Sequence, residues 1–173
     1  MQGKLENPEQ VREFALAGNA TITLQSEKTG NHFTYKIRQA EDRETGKLTQ
    51  RWFVSLLGGP DNESDFIYLG LLDMGNWRTN YLDPAGPIQF RQTAKSCVAS
   101  DRPSVMGFQY FWRAIAANSM PRQMAVFHEG RCGRCGRKLT TPDSVQRGIG
   151  PECAEKMGFM TIRHELSAEE LGL

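Results

Sequence analysis

The chain of 173 residues has the length of one ordinary domain, with room for at most a small appendage. Hydrophobic residues make up 39% and charged residues 24%, and nine Phe, four Tyr and three Trp can fill a core, which argues against a wholly disordered chain. Lys plus Arg number 21 against 20 for Asp plus Glu, a net charge of +1 that provides no whole-molecule field for a polyanion, so any nucleic-acid contact must be local.

Residues 1 to 19 are polar except for one helical pattern, Val11, Phe14, Ala15 and Leu16, which follows Asn7-Pro8-Glu9 and stops at Gly18-Asn19. Three runs bounded by turn-forming residues then predict strands: Ala20 to Leu24, the alternating Phe33 to Ile37, and Trp52 to Leu57. Lys28-Thr29-Gly30-Asn31 and the charged segment Glu41 to Gln50 suit hairpin turns, so an antiparallel meander is expected. Phe66 to Leu72 reads as a fourth strand, and Trp77 and Ile88-Gln89-Phe90 are weaker candidates. From Ser104 the period changes: Val105, Phe108, Phe111, Trp112 and Ile115 recur at steps of three and four, predicting a helix that covers the sheet and stops at Asn118. The fold class expected is α+β, an antiparallel sheet of four to six strands with a covering helix. The expected division is a sheet body over residues 1–118 and a small C-terminal unit over residues 119–173.

The N-terminal residues lack the apolar core of a signal peptide, and no apolar run reaches the roughly 18 residues that span a membrane. A cytoplasmic protein without a membrane partner is expected. In such a reducing compartment cysteines favour metal over disulfides. Cys97 stands apart and reads as a small core residue.

Cys132, Cys135 and Cys153 follow His128 in the pattern His-x3-Cys-x2-Cys-x17-Cys. A Cys-x2-Cys step turns both sulfurs toward one cation, and Gly133 and Gly136 permit the positive φ values of such a knuckle. Gly150-Pro151 predicts a helix start that places Cys153 in the first turn, where free N–H groups favour a thiolate. The expected cofactor is one structural Zn2+ per chain held by His128, Cys132, Cys135 and Cys153, with His164 in reserve as the fourth ligand. The zinc deaminase pattern fits poorly, because His128 and Glu129 are adjacent, no Pro precedes Cys132, and Cys153 takes the position that water would need.

The segment resembles the C-terminal motif of a family of uncharacterised phage and prophage proteins. The matching elements are His128 to Thr140, Pro142-Asp143-Ser144 and Gly148 to Cys153. The resemblance covers about 30 residues and implies a phage-related origin and a zinc-binding domain; no catalytic residue comes with it. The knuckle followed by a helix-borne Cys also looks like a treble-clef finger. That class usually takes two ligands from its helix, and Lys156 and Met157, where the second would fall, are not ordinary zinc ligands.

Positive charge concentrates on this segment: residues 119–158 carry seven bases against four acids, whereas residues 1–118 carry 13 of each. Arg131, Arg134, Arg137, Lys138 and Arg147 are the candidate phosphate contacts, with arginines alternating among the knuckle residues. Sheet aromatics exposed among Tyr35, Trp52, Phe53, Tyr68 and Trp77 would add stacking. Asp61, Glu63, Asp65, Asp73 and Asp83 form no recognised catalytic constellation, so the protein is not expected to be an enzyme. The function expected is nucleic-acid binding in phage replication, recombination or host-defence interference. The alternative is a protein-binding inhibitor or adaptor acting on a host factor.

Overall fold

The computed structural model describes residues 3–76, 81–82 and 87–158. The strands are β1 (Gly3–Leu5), β2 (Asn19–Ser26), β3 (His32–Glu41), β4 (Leu48–Leu57), β5 (Phe66–Asp73), β6 (Gly75–Asn76), β7 (Tyr81–Leu82), β8 (Gln89–Arg91) and β9 (Met124–His128). The helices are α1 (Pro8–Ala15), α2 (Pro103–Ala116), α3 (Pro142–Arg147) and α4 (Pro151–Lys156). Seven strands form one antiparallel sheet in the order β1-β9-β2-β3-β4-β5-β8, and β6 pairs with β7 in a separate two-stranded ribbon. The fold is α+β, and the expected meander is its centre, β2 to β5 in sequence order. Trp77, Asp83 and His164 lie outside the described residues.

Alternation sets the two faces of the sheet. Ala20, Ile22 and Leu24 of β2, Tyr35 and Ile37 of β3, and Trp52, Val54 and Leu56 of β4 point into the core. α1 and α2 cover that face with Val11, Phe14, Phe108, Phe111 and Ile115, all at most 1% exposed. Each such side chain contributes about 1.5–3 kcal/mol by leaving water. Asn7 caps α1 by accepting from the Glu9 N–H at 2.8 Å, and Pro8 occupies the first helical position.

The polar groups of Tyr35, Trp52 and Trp112 that enter this core find backbone partners. The Tyr35 hydroxyl donates to the Ser104 carbonyl at 2.7 Å, the Trp52 indole to Leu16 O at 3.1 Å, and the Trp112 indole to Ile88 O at 2.9 Å. Arg12 donates to Ile115 O at 2.9 Å, tying α1 to the last turn of α2. Burial pushes the Tyr35 phenol well above its ordinary pKa, so it stays a neutral donor.

β9 lies on the finger side of the boundary expected between residues 118 and 119, yet it is an inner strand, paired with β1 on one side and β2 on the other. Cys132, Leu139, Ile149, Cys153 and Ala154 belong to the same buried cluster as Phe14 and Ile22. The C-terminal segment therefore continues the core. Cys97, expected inside, is exposed. Among the described residues no helix is long and apolar enough to cross a membrane.

Candidate metal centre

β9 delivers the chain to Gly130, where a tight hairpin begins. Leu139 N donates to Gly130 O at 2.8 Å, Arg131 bridges Lys138, and Cys132 N donates to Arg137 O at 2.8 Å. Gly136 closes the turn with its N–H on Cys132 O at 2.9 Å and a φ of +75°, which an L side chain would resist. α3 ends at Gly148, also left-handed at φ +74°, and Gly150-Pro151 starts α4 with Cys153 in its first turn. The ligand atoms of Cys132, Cys135 and Cys153 then lie within 4.8 Å of one another, close enough to hold a metal ion.

The two halves of the site are joined by a bond from Gly150 N–H to Cys132 Sγ at 3.4 Å. Burial raises the Cys132 pKa, but hydrogen bonds from the Gly150, Cys135 and Arg134 amides outweigh it and hold the thiol below its ordinary value. Cys153 is pushed up to about 12 by burial and then by the two neighbouring sulfurs. Three thiolates this close repel, so an entering cation must displace the Cys153 proton, and the cation is what lets all three ionise. A cavity of about 170 Å³ adjoins the sulfurs, bordered by Lys138, Thr141 and Ser144.

His128 is not brought to the cysteines. The register puts it opposite Ile22 of β2 and Gly3 of β1, on the covered face, and it is 1% exposed. Its Nδ1 accepts from Gly130 N–H at 3.0 Å, and its Nε2 lies 2.6 Å from Val145 O. A carbonyl can only accept, so Nε2 carries the proton and both nitrogens are occupied. Burial holds the imidazole below its ordinary pKa, consistent with this neutral form. The expected shell of three cysteines and His128 is thus corrected to three cysteines, with His128 fastening β9 to α3. Nearness in sequence suggested the ligand; strand alternation turned it inward.

Residues 123–158 match DUF6011, a family of unknown function. The matched stretch contains β9, the knuckle, α3, α4, His128 and all three cysteines. None of the curated proteins and none of the solved structures matches the chain.

The support for the knuckle comes from α1, outside the DUF6011-matching stretch. The Phe14 ring packs against His128 at 5.3 Å between centroids. A Cβ on Gly133 would sit 2.7 Å from that ring and 2.9 Å from Phe14 O, and one on Gly148 would sit 2.6 Å from the ring. Gly133 therefore serves close approach, not the positive φ that the sequence suggested. Asn19 N donates to Gly133 O at 2.7 Å, and Gly133 N to Gly148 O at 3.0 Å, so the knuckle is bonded to β2 and to the end of α3. Phe14 and Asn19 were not among the expected site residues, and only the Gly-x2-Gly rhythm of the knuckle hinted that something packs against it.

The candidate phosphate contacts divide. Arg131, Arg137 and Lys138 are exposed; Arg131 donates to Gly136 O at 3.2 Å and Arg137 meets Glu152 at 3.4 Å. Arg134 is half-buried, reaching Cys153 O at 3.5 Å. Arg147, also half-buried, faces Glu13 of α1; burial raises the Glu13 pKa and Arg147 opposes that rise. Of the sheet aromatics, Tyr35 and Trp52 are core, while Phe53 and Tyr68 lie on the face opposite α1 and α2. Asp61 and Asp65 hydrogen-bond within their own loop, and Asp73 pairs with Arg91 and Arg51. Among the described residues the cysteine trio is the only cluster of three or more metal-type ligands.

Proposed function

We propose that the protein is a non-enzymatic zinc-finger protein that binds nucleic acid, with one structural Zn2+ per chain. The motif resemblance adds a phage or prophage setting, in replication, recombination or interference with host defence. Soft thiolates favour zinc over the hard divalent ions. Tetrahedral Zn–S bonds of about 2.3 Å place sulfurs about 3.8 Å apart, so sulfurs within 4.8 Å of one another need to shift by only about 1 Å. With His128 committed elsewhere, His164 becomes the first candidate for the fourth ligand.

The observation that carries the reading is the hydrogen-bonded knuckle, which fixes the backbone from which Arg131, Arg137 and Lys138 extend into solvent. A cation among the thiolates would lock that backbone further, so these side chains lose little additional freedom when they meet phosphate oxygens. The test is elemental analysis for one zinc per chain, followed by binding titrations of the zinc-loaded protein at several salt concentrations. Arg137→Gln should keep its zinc and reduce the magnitude of the salt slope by roughly 1. No binding of the parent to single- or double-stranded DNA or to RNA at low salt refutes the reading.

A further inference from the structure

The sheet face opposite α1 and α2 carries an arrangement that the knuckle does not explain. Cross-strand registers put Arg38 beside Phe53, Phe53 beside Leu71, and Leu71 beside Arg91. Two residues from Phe53 along β4, Arg51 lies opposite Asp73. Strands are spaced by about 4.8 Å and alternate residues of a strand by about 7 Å, so Arg38 and Arg51 flank Phe53 on this face and Arg91 stands two strands away, beyond Leu71. The Phe53 ring is 44% exposed. Tyr68 stands edge-on to it at 6.3 Å and is itself anchored through its hydroxyl to Thr93 Oγ1 at 3.0 Å.

The cations are positioned in advance. Buried Asp73 meets Arg91 at 2.9 Å and Arg51 at 3.9 Å, yet the two arginine side chains keep 36% and 45% of their exposure. With Lys4 and Lys36, the strand residues of this face comprise five bases and the single acid Asp73, although the whole chain is nearly neutral. The face also runs on to the knuckle: a groove of about 400 Å³ is bordered by Thr21 and Lys36 on the sheet side and Arg131 on the other, with Glu63 and Glu129 at its walls.

We infer that this face is a platform for single-stranded nucleic acid, on which bases stack against Phe53 and Tyr68 while Arg38, Arg51 and Arg91 meet phosphates. A fixed, exposed ring among cations matches a planar base joined to an anionic backbone. Duplex bases are already stacked and present only their edges, so a single strand is the form that can use the ring's face. The inference rests on the nucleic-acid reading above and assigns it a second surface.

Fluorescence anisotropy of labelled oligo-dT and oligo-U of about 15 nucleotides, and of a duplex of equal length, tests it on the zinc-loaded full chain at low salt. Phe53→Leu should weaken single-strand binding by about 5- to 150-fold, and Phe53→Trp should preserve it. Arg38→Gln, at an exposed position, should reduce the magnitude of the single-strand salt slope by about 0.7; unchanged melting temperatures would confirm that both variants fold. If the parent binds single strands and both Phe53→Leu and Arg38→Gln bind as it does, the platform is overturned and the knuckle reading survives. Tighter binding to the duplex than to either single strand also overturns the platform. A parent that binds none of the three overturns both.

Discussion

Replacing Phe14 with alanine probes the joint between the cysteine knuckle and the sheet. The ring is 1% exposed and fills the space that Gly133 and Gly148 leave beside His128. Its removal forfeits the burial of a phenyl group and leaves a cavity walled by backbone that is hydrogen-bonded to β2 and α3, and so is poorly able to collapse. The expected loss is about 3–5 kcal/mol, a large share of the roughly 5–15 kcal/mol available to a domain. The loss should extend to the metal, because Gly133 lies between Cys132 and Cys135 and is held by Asn19 N–H only while α1 keeps its place. Denaturant unfolding with saturating zinc gives the first quantity, and competition with a chromophoric chelator gives the second. A loss under about 1 kcal/mol with unchanged metal affinity would refute the claim that α1 supports the knuckle.

Cys153→Ser should abolish stoichiometric zinc and lower the melting temperature of the whole chain in one transition, because Cys153 and Ile22 share a core; a sheet that melts at the parent temperature would show separable units. His128→Gln should retain the cobalt(II) thiolate spectrum of the parent while destabilising the fold by about 1–3 kcal/mol through its lost backbone bonds; loss of the spectrum in a folded variant would restore His128 as a ligand. Burial lowers the folded-state pKa of His128 below 6.5, so the unfolded chain takes up the proton first. The stability from neutral His128 is therefore present above about pH 6.5 and falls as the pH drops below it, a component that the difference in melting temperature between parent and His128→Gln should isolate. Gly148→Ala should cost at least about 1–2 kcal/mol in denaturant unfolding, from its left-handed φ alone, and more from overlap with Phe14; wild-type stability would contradict that packing.

Local chemistry was enough for much of this protein. Runs bounded by turn residues, Ala20 to Leu24, Phe33 to Ile37 and Trp52 to Leu57, mark strands, steps of three and four from Val105 to Ile115 mark α2, and the Cys132-x2-Cys135 step with Gly150-Pro151 before Cys153 marks the thiol cluster. In each case the deciding interactions join residues close in the chain. Tertiary structure decided the rest. β9 is a five-residue run whose partners, β1 and β2, lie about a hundred residues away, so no local pattern could insert it between them. That insertion fixed the direction of His128 and removed it from the ligand set. Period-two alternation marks two faces on every strand without saying which is wet; α1 and α2, by covering one, buried Tyr35 and Trp52 and left Phe53 among arginines. Gly133 is the smallest instance: its sequence context suggests a turn, but the requirement comes from Phe14, more than a hundred residues earlier, whose ring occupies the space a side chain would need.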